Sequence, residues 1–552
     1  MRLIAAFLMF FSMTHAAEYD AVIENGLVFD GSGEPGQIMD VAIRGERIVA
    51  IGDLDASASL QVIDARGLAV APGFINVLSW AVDSLIEDSR AMSDVYQGVT
   101  TDVFGEGVSM GPLNDVMRAE MLKRQGDIRY DITWTTLGEY LQMLEDRGVA
   151  VNVASFVGAT TVRVHELGFA DIDPTPEQLE RMQELVRQAM REGALGVGAS
   201  LIYAPAAYAD TDELAALASA AGEYGGMYIA HMRSEGDRLL EAIDETIEIA
   251  ERAGVPAEIY HLKAAGKSNW GALDEAISRI ENARTRGIRI TTDMYTYTAG
   301  ATGLDAAMPP WVQEGGFDAW AERLQDSEIR KRVAAEMSNA GDNWENLYHA
   351  AGSAENLLLV GFKNDDLKPL TGKTLAEVAR MREQSPEETA MDLVVEDGSR
   401  VGTVYFLMSE ANVAKQIQLP YMSFGSDAEA MAPEGVFLKS NPHPRAYGNF
   451  ARLLGRYVRD EERISLAQAV HRLTRLPADN LQLRDRGRIA IGYYADIAVF
   501  DPQTIADRAT FSDPHQLAVG VHHVWVNGQP VLRNGTMTEN RPGHFIKGPG
   551  SQ

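Results

Sequence analysis

Two stretches of the chain share one design. GMYIAHMRSEG (residues 226–236) and PAEIYHLKAAG (residues 256–266) each carry a short apolar run that ends on a histidine, with a basic residue two positions on. The pairs are His231 with Arg233 and His261 with Lys263. Imidazole is the commonest metal ligand. Two imidazoles and one carboxylate would hold zinc through three protein ligands and leave a fourth place for water. Zinc lowers the pKa of bound water and polarises a carbonyl. A second carboxylate can then take the water's proton and pass it to a leaving group. The alternative for a strand-end histidine is a neighbour that satisfies it. Two of them in equivalent places favour the metal.

The carboxylates for this chemistry stand in glycine-rich contexts. Glu106 lies in Gly105-Glu106-Gly107, where the glycines let the backbone approach closely, and is the candidate third ligand. Asp427, in Gly425-Ser426-Asp427, is the candidate catalytic base. Lys263 suits an anionic substrate group or a carboxylate partner. Arg445 sits in the stiff Pro442-His443-Pro444-Arg445, and a guanidinium suits bidentate binding of a carboxylate. Tyr203, Tyr295 and Tyr297 are candidates for a pocket wall, and Arg233 for an ion pair behind the site.

These residues need elements that converge. An apolar run of this length reads as a buried strand, and residues 237–253 repeat Leu239, Leu240, Ile243, Ile247, Ile249 and Ala250 at helical spacing. Strand–helix–strand favours a parallel sheet, with both histidines at carboxyl ends of neighbouring strands, where α/β barrels keep their chemistry. Further strands are expected at 71–77, 99–105, 150–158, 194–200, 227–231, 258–263, 288–295 and 421–427, with helices at 137–147, 176–192, 211–224 and 273–286. The economical fold is α/β, a (β/α)8 TIM barrel over residues 71–486. An insertion at about 300–419, expected to be helical, would overhang the mouth. The hairpin signals Asn25-Gly26, Asp30-Gly31 and Asn527-Gly528 place β-rich pieces at both ends. Residues 18–70 and 487–552 are therefore expected to form one small β-sandwich domain.

Of 552 residues, 46% are hydrophobic, and the net charge is −30. That charge argues against nucleic acid or anionic membranes as partners, but it need not repel a small anion, because local site charges decide that. Without cysteine there are no disulfides or thiolate metal sites. Arg2, an apolar run at 3–13 and Thr14-His15-Ala16 read as a signal peptide over residues 1–17. The expected location is exported and periplasmic, without stable membrane insertion after cleavage.

Nine segments carry a family resemblance. They are APGFINV (from Ala71), QGVTTDVFGEG (Gln97), GASLIYAP (Gly198), AHMRSEG (Ala230), YHLKAAG (Tyr260), DMYTYTAG (Asp293), FGSDAEA (Phe424), HPRAYGNFARLLGRYV (His443) and GRIAIGYYADIAVFDP (Gly487). As a set they resemble the N-acyl-D-amino-acid deacylases, the D-aminoacylase branch of the amidohydrolase superfamily. The resemblance implies a β-sandwich plus barrel, one zinc ion, and hydrolysis of an N-acyl group from a D-amino acid. It implies His231 and His261 as metal ligands with Glu106, Asp427 as the base, and Lys263, Arg445, Tyr203 and Tyr295 near substrate. Two departures stand out. The first-strand His-x-His is replaced by Leu78 and Trp80, and a ligand that is cysteine in several relatives appears as Glu106. Nor does 194–200 hold a lysine for carbamylation, which speaks against a two-metal hydantoinase arrangement. The alternatives are a hydrolase of D-residue dipeptides or cyclic amides, and a metal-poor binder of acylated amino acids that does not turn them over.

Overall fold

The eight parallel barrel strands are short, almost wholly buried runs that end where the chemistry begins. In the computed structural model, which describes residues 18–341 and 343–551, they are Phe74–Asn76, Val99–Phe104, Asn152–Ser155 continued by Val157–Gly158, Gly196–Ser200, Met227–His231, Ala257–Ile259, Ile290–Met294 and Met422–Phe424. Each pairs in parallel with the next. The ring closes beyond the strand ends. Asp427 donates its N–H to Leu78 O, and Trp80 donates to Ala428 O, both at 2.9 Å. The Asn76 amide locks the same seam. Its Oδ1 accepts from Ser426 N at 2.8 Å, and its Nδ2 donates to Ser426 Oγ at 2.9 Å. The fold is thus an α/β TIM barrel with a small β domain built from both chain ends.

The outer helices follow their sequence signals. Leu137–Arg147 starts at Thr136 with a reciprocal capping box to Glu139, and Pro176–Glu192 starts at Thr175 with a box to Gln178 and proline in its first turn. Leu239–Ala253 buries Leu239, Ile243, Ile247, Ile249 and Ala250 and ends at Gly254.

Two expectations change. The segment 71–77 is not one barrel strand. Ala69–Pro72 pairs antiparallel with Ile497–Phe500 in the nine-stranded terminal sheet, and only Phe74–Asn76 enters the barrel. The break falls at Pro72-Gly73, since proline cannot donate to a ladder. The insertion is not purely helical. Gly300–Gly303, Gly402–Tyr405 and Leu357–Gly361 form a three-stranded antiparallel sheet. Gly300 pairs with Tyr405, so the entry and exit of the insertion lie side by side. The helices Ser327–Met337, Leu375–Arg382 and Pro386–Asp397 complete it, around a separate core that includes Leu304, Trp320, Val333, Leu359 and Leu375.

The leader expected over residues 1–17 lies outside the described residues. Among the described residues no helix is long and apolar enough to cross a membrane.

Candidate metal centre

The second strand stops at Phe104, and the chain turns through Gly105 (φ 104°) and Gly107 (φ 72°). A Cβ on Gly105 would stand 2.3 Å from Phe156 O, and one on Gly107 2.4 Å from Ser200 Cβ. Only glycine fits both the backbone angle and the space. The turn presses on the third and fourth strands and carries Glu106 into the barrel mouth.

There Glu106 Oε1 lies 3.0 Å from His231 Nδ1 and 2.9 Å from His261 Nε2. All three side chains are buried, and their ligating atoms lie within 4.8 Å of one another. Tetrahedral zinc with bonds of ~2.0–2.1 Å sets its ligand atoms roughly 3.3 Å apart, so the trio stands close to ligating separation. Burial disfavours a charged Glu106, yet hydrogen bonds from both imidazoles hold its carboxyl well below the usual range. An ionised carboxylate and two imidazole nitrogens from three different strands fit zinc in donor type, number and spacing.

The shell around the trio fixes its orientation. Glu235 Oε1 at 2.9 Å and Lys263 Nζ at 2.8 Å both face His261 Nδ1, which leaves Nε2 directed toward Glu106. His261 itself has φ 32°, a costly angle for a side-chain-bearing residue. Its N–H is held by Asp293 Oδ1 at 2.9 Å. Asp427 is likewise at φ 49°, pinned by its bond to Leu78 O.

Trp80 links the trio to Asp427. Its Nε1 donates to Glu106 Oε2 at 2.9 Å and to Asp427 Oδ1 at 3.2 Å. Asp427 Oδ2 lies 2.8 Å from Arg445 Nη1. Burial pushes the Asp427 carboxyl up, and the Arg445 charge works against that. Arg445 is buried with its Cζ 4.4 Å over the Tyr295 ring. Its Nε and Nη1 find no well-aligned acceptor, while Nη2 donates to Ala301 O at 3.3 Å. A buried guanidinium with unused donors is disposed to take an anion. Tyr203 packs its ring edge-on to His231 at 5.5 Å. These groups share a cavity of about 500 Å³ that also reaches Asp305 and Arg400 of the insertion.

Lys263 lines the cavity, but its ammonium is engaged by Glu235 Oε1 at 2.5 Å. Its first partner is therefore a carboxylate of the protein, one of the two roles the sequence allows. Tyr297 turns away, donating to Asp507 Oδ2 at 3.1 Å. Arg233 forms an ion pair with Glu245 at 2.9 Å. Trp80, Glu235 and Asp293 are the working residues that sequence reasoning does not assign. Glu235 carries the one available signal, as an acid four residues past His231.

A profile described as the amidohydrolase family matches residues 61–532. A D-aminoacylase from Alcaligenes xylosoxydans xylosoxydans is 32% identical over 539 residues, covering 97% of this chain and 99% of that protein. A structure of D-aminoacylase, described with a binuclear metal centre in which one metal activates and a second attenuates, superposes with a TM-score of 0.79 at 32% identity, over 96% of this chain and 100% of that one. N-acyl-D-glutamate deacylase from Bordetella bronchiseptica, solved with zinc and a phosphonate mimic of the tetrahedral intermediate, gives a TM-score of 0.79 at 29% identity, over 96% and 99%.

Proposed function

The chain belongs to the amidohydrolase family, in its D-aminoacylase branch, and from that premise we propose that it hydrolyses N-acyl-D-amino acids to a carboxylate and a free D-amino acid. The observation that carries this reading is the convergence of Glu106, His231 and His261 within 4.8 Å, with Asp427 tied to the same cluster through Trp80. Zinc held by that trio would supply Lewis acidity toward an amide carbonyl and toward water. Asp427 would take the proton of the attacking water and return it to the departing amine. Arg445, with Tyr295 beneath its guanidinium, would hold the substrate carboxylate and offset its charge. Lys263 adds positive charge at the same wall while neutralising Glu235. Tyr203 shapes the side of the cavity next to His231.

Export to the periplasm, with a leader over residues 1–17 and domain limits at 18–70, 71–486 and 487–552, belongs to the same proposal. The reading is tested by amine release from both enantiomers of N-acetyl-methionine, with and without added zinc. We expect hydrolysis of the D enantiomer that depends on zinc. Tight binding without turnover of either enantiomer would overturn it in favour of a non-catalytic binder.

We further propose that the centre works with a single ion. The second oxygen of Glu106 and the first of Asp427 both accept from Trp80 Nε1. An indole N–H is a donor only, so it takes one lone pair on each of these oxygens and offers a second metal no ligand of its own. Zinc measured by mass spectrometry after dialysis should saturate at one equivalent per chain. Trp80→His should admit a second, weaker equivalent. Two equivalents bound by the unaltered protein would contradict this.

A further inference from the structure

The carboxylates that line the cavity are Glu106, Glu235, Asp305, Asp427 and Glu429, and the lysine and arginines are Lys263, Arg400 and Arg445. All but one of these groups pair off. Glu106 is set against His231 and His261. Glu235 is set against Lys263, Asp305 accepts from Arg400 Nε at 2.8 Å, and Asp427 faces Arg445. Glu429 is left over. Among the described residues it has neither a hydrogen bond nor an ion pair. The charged group it feels is Asp83, another acid.

From this pairing we propose that Glu429 is a specificity-determining residue that selects substrates bearing a cationic group, an ammonium or a guanidinium. The inference rests on the deacylase reading and narrows its substrate class. Glu429 is half-buried in the cavity wall, and no donor among the described residues meets its carboxylate. Burial and then Asp83 push its carboxyl up to about 7, so the protein gives the charged form no support. A bound cation would supply that support through a charge-assisted hydrogen bond, the stronger kind. Lys263, Arg400 and Arg445 each already face another carboxylate of the protein. The net charge of −30 also favours the approach of such substrates. The cationic group has two sources. It is the free α-ammonium of an aminoacyl group, as in a dipeptide ending in a D residue, or the side chain of a D-lysine or D-arginine.

Matched pairs separate the sources. Glycyl-D-methionine and N-propionyl-D-methionine differ in an ammonium against a methyl. N-acetyl-D-lysine and N-acetyl-D-norleucine differ at the side-chain end. With the zinc-loaded enzyme and carboxylates ionised, one pair should favour the cation by about tenfold or more in kcat/KM. Glu429→Gln should bring that ratio close to one, and Glu429→Lys should push it below one. Ratios near one in both pairs, or a ratio that Glu429→Gln leaves unchanged, would overturn the assignment while hydrolysis of the neutral substrates kept the deacylase reading intact. Absence of hydrolysis in all four substrates by zinc-loaded protein would overturn both.

Discussion

Glu106→Ala strips zinc from the protein and lowers kcat/KM by at least about 10³-fold. Glu106 Oε1 is the one atom that lies within 3.0 Å of both His231 Nδ1 and His261 Nε2. Without it two imidazoles remain, and Glu235 approaches them on their other nitrogens, His231 Nε2 at 3.7 Å and His261 Nδ1 at 2.9 Å. The loss in rate follows from losing several kcal/mol of charge stabilisation at the carbonyl, with ~1.36 kcal/mol for each tenfold change. Zinc content by mass spectrometry reads the first effect and amine release the second. A thermal melt adds a readout that does not pass through activity. A ligand that binds only the folded state stabilises it by an amount that grows with the logarithm of its concentration over Kd, so added zinc should raise the melting temperature of the parent protein and leave that of Glu106→Ala where it is. A variant that keeps one tightly bound zinc would show that Glu106 is not a ligand.

Asp427→Asn should do the opposite on metal and a similar thing on rate. Zinc stays, because Asp427 stands outside the trio, while kcat falls by about 10²–10⁴-fold, the worth of a general base. The pH profile carries a second prediction. A base must be deprotonated to work. Burial raises the Asp427 carboxyl above its ordinary value, against the pull of Arg445. Activity is therefore present above that raised value and lost as pH falls through it. The acid limb of kcat/KM should lie above the ordinary carboxylate range. Arg445→Gln removes the lowering influence, so it should move the limb to higher pH while raising KM. An acid limb that persists unchanged in the residual activity of Asp427→Asn would assign the proton transfer elsewhere.

Local signals in the sequence were enough to single out the three side chains that the fold brings together at the barrel mouth. His231 and His261 each end an apolar run of strand length, with an amphipathic helix between them, and that pattern alone places both at carboxyl ends of adjacent strands. The helix Leu137–Arg147 was equally legible, because Thr136 and Glu139 write its start into four residues. Glu106 was legible through its two glycines, although the reason they are needed, the closeness of Phe156 O and Ser200, depends on strands far away in the chain.

The parts that escaped are those made by distant contacts. Trp80 reads as a ligand lost from the first strand. Its role as a donor to two carboxylates requires Asp427, 347 residues away. Glu235 became an orienting group for His261 only once the fifth and sixth strands were in register. The sheet within the insertion joins strands at 300–303 and 402–405 across about a hundred residues, so no local turn announces it. The solitary state of Glu429 is the extreme case. A missing partner leaves no mark on sequence and emerges only when the cations around the cavity are matched to other acids.

Everything proposed here depends on Glu106, His231 and His261 sharing one zinc ion. The direct measurement is anomalous diffraction at the zinc edge on crystals of the zinc-loaded protein. The account predicts one peak, with Glu106 Oε1, His231 Nδ1 and His261 Nε2 each within ~2.0–2.2 Å of it. A peak on other side chains, or a second peak of comparable height beside Trp80, would contradict it.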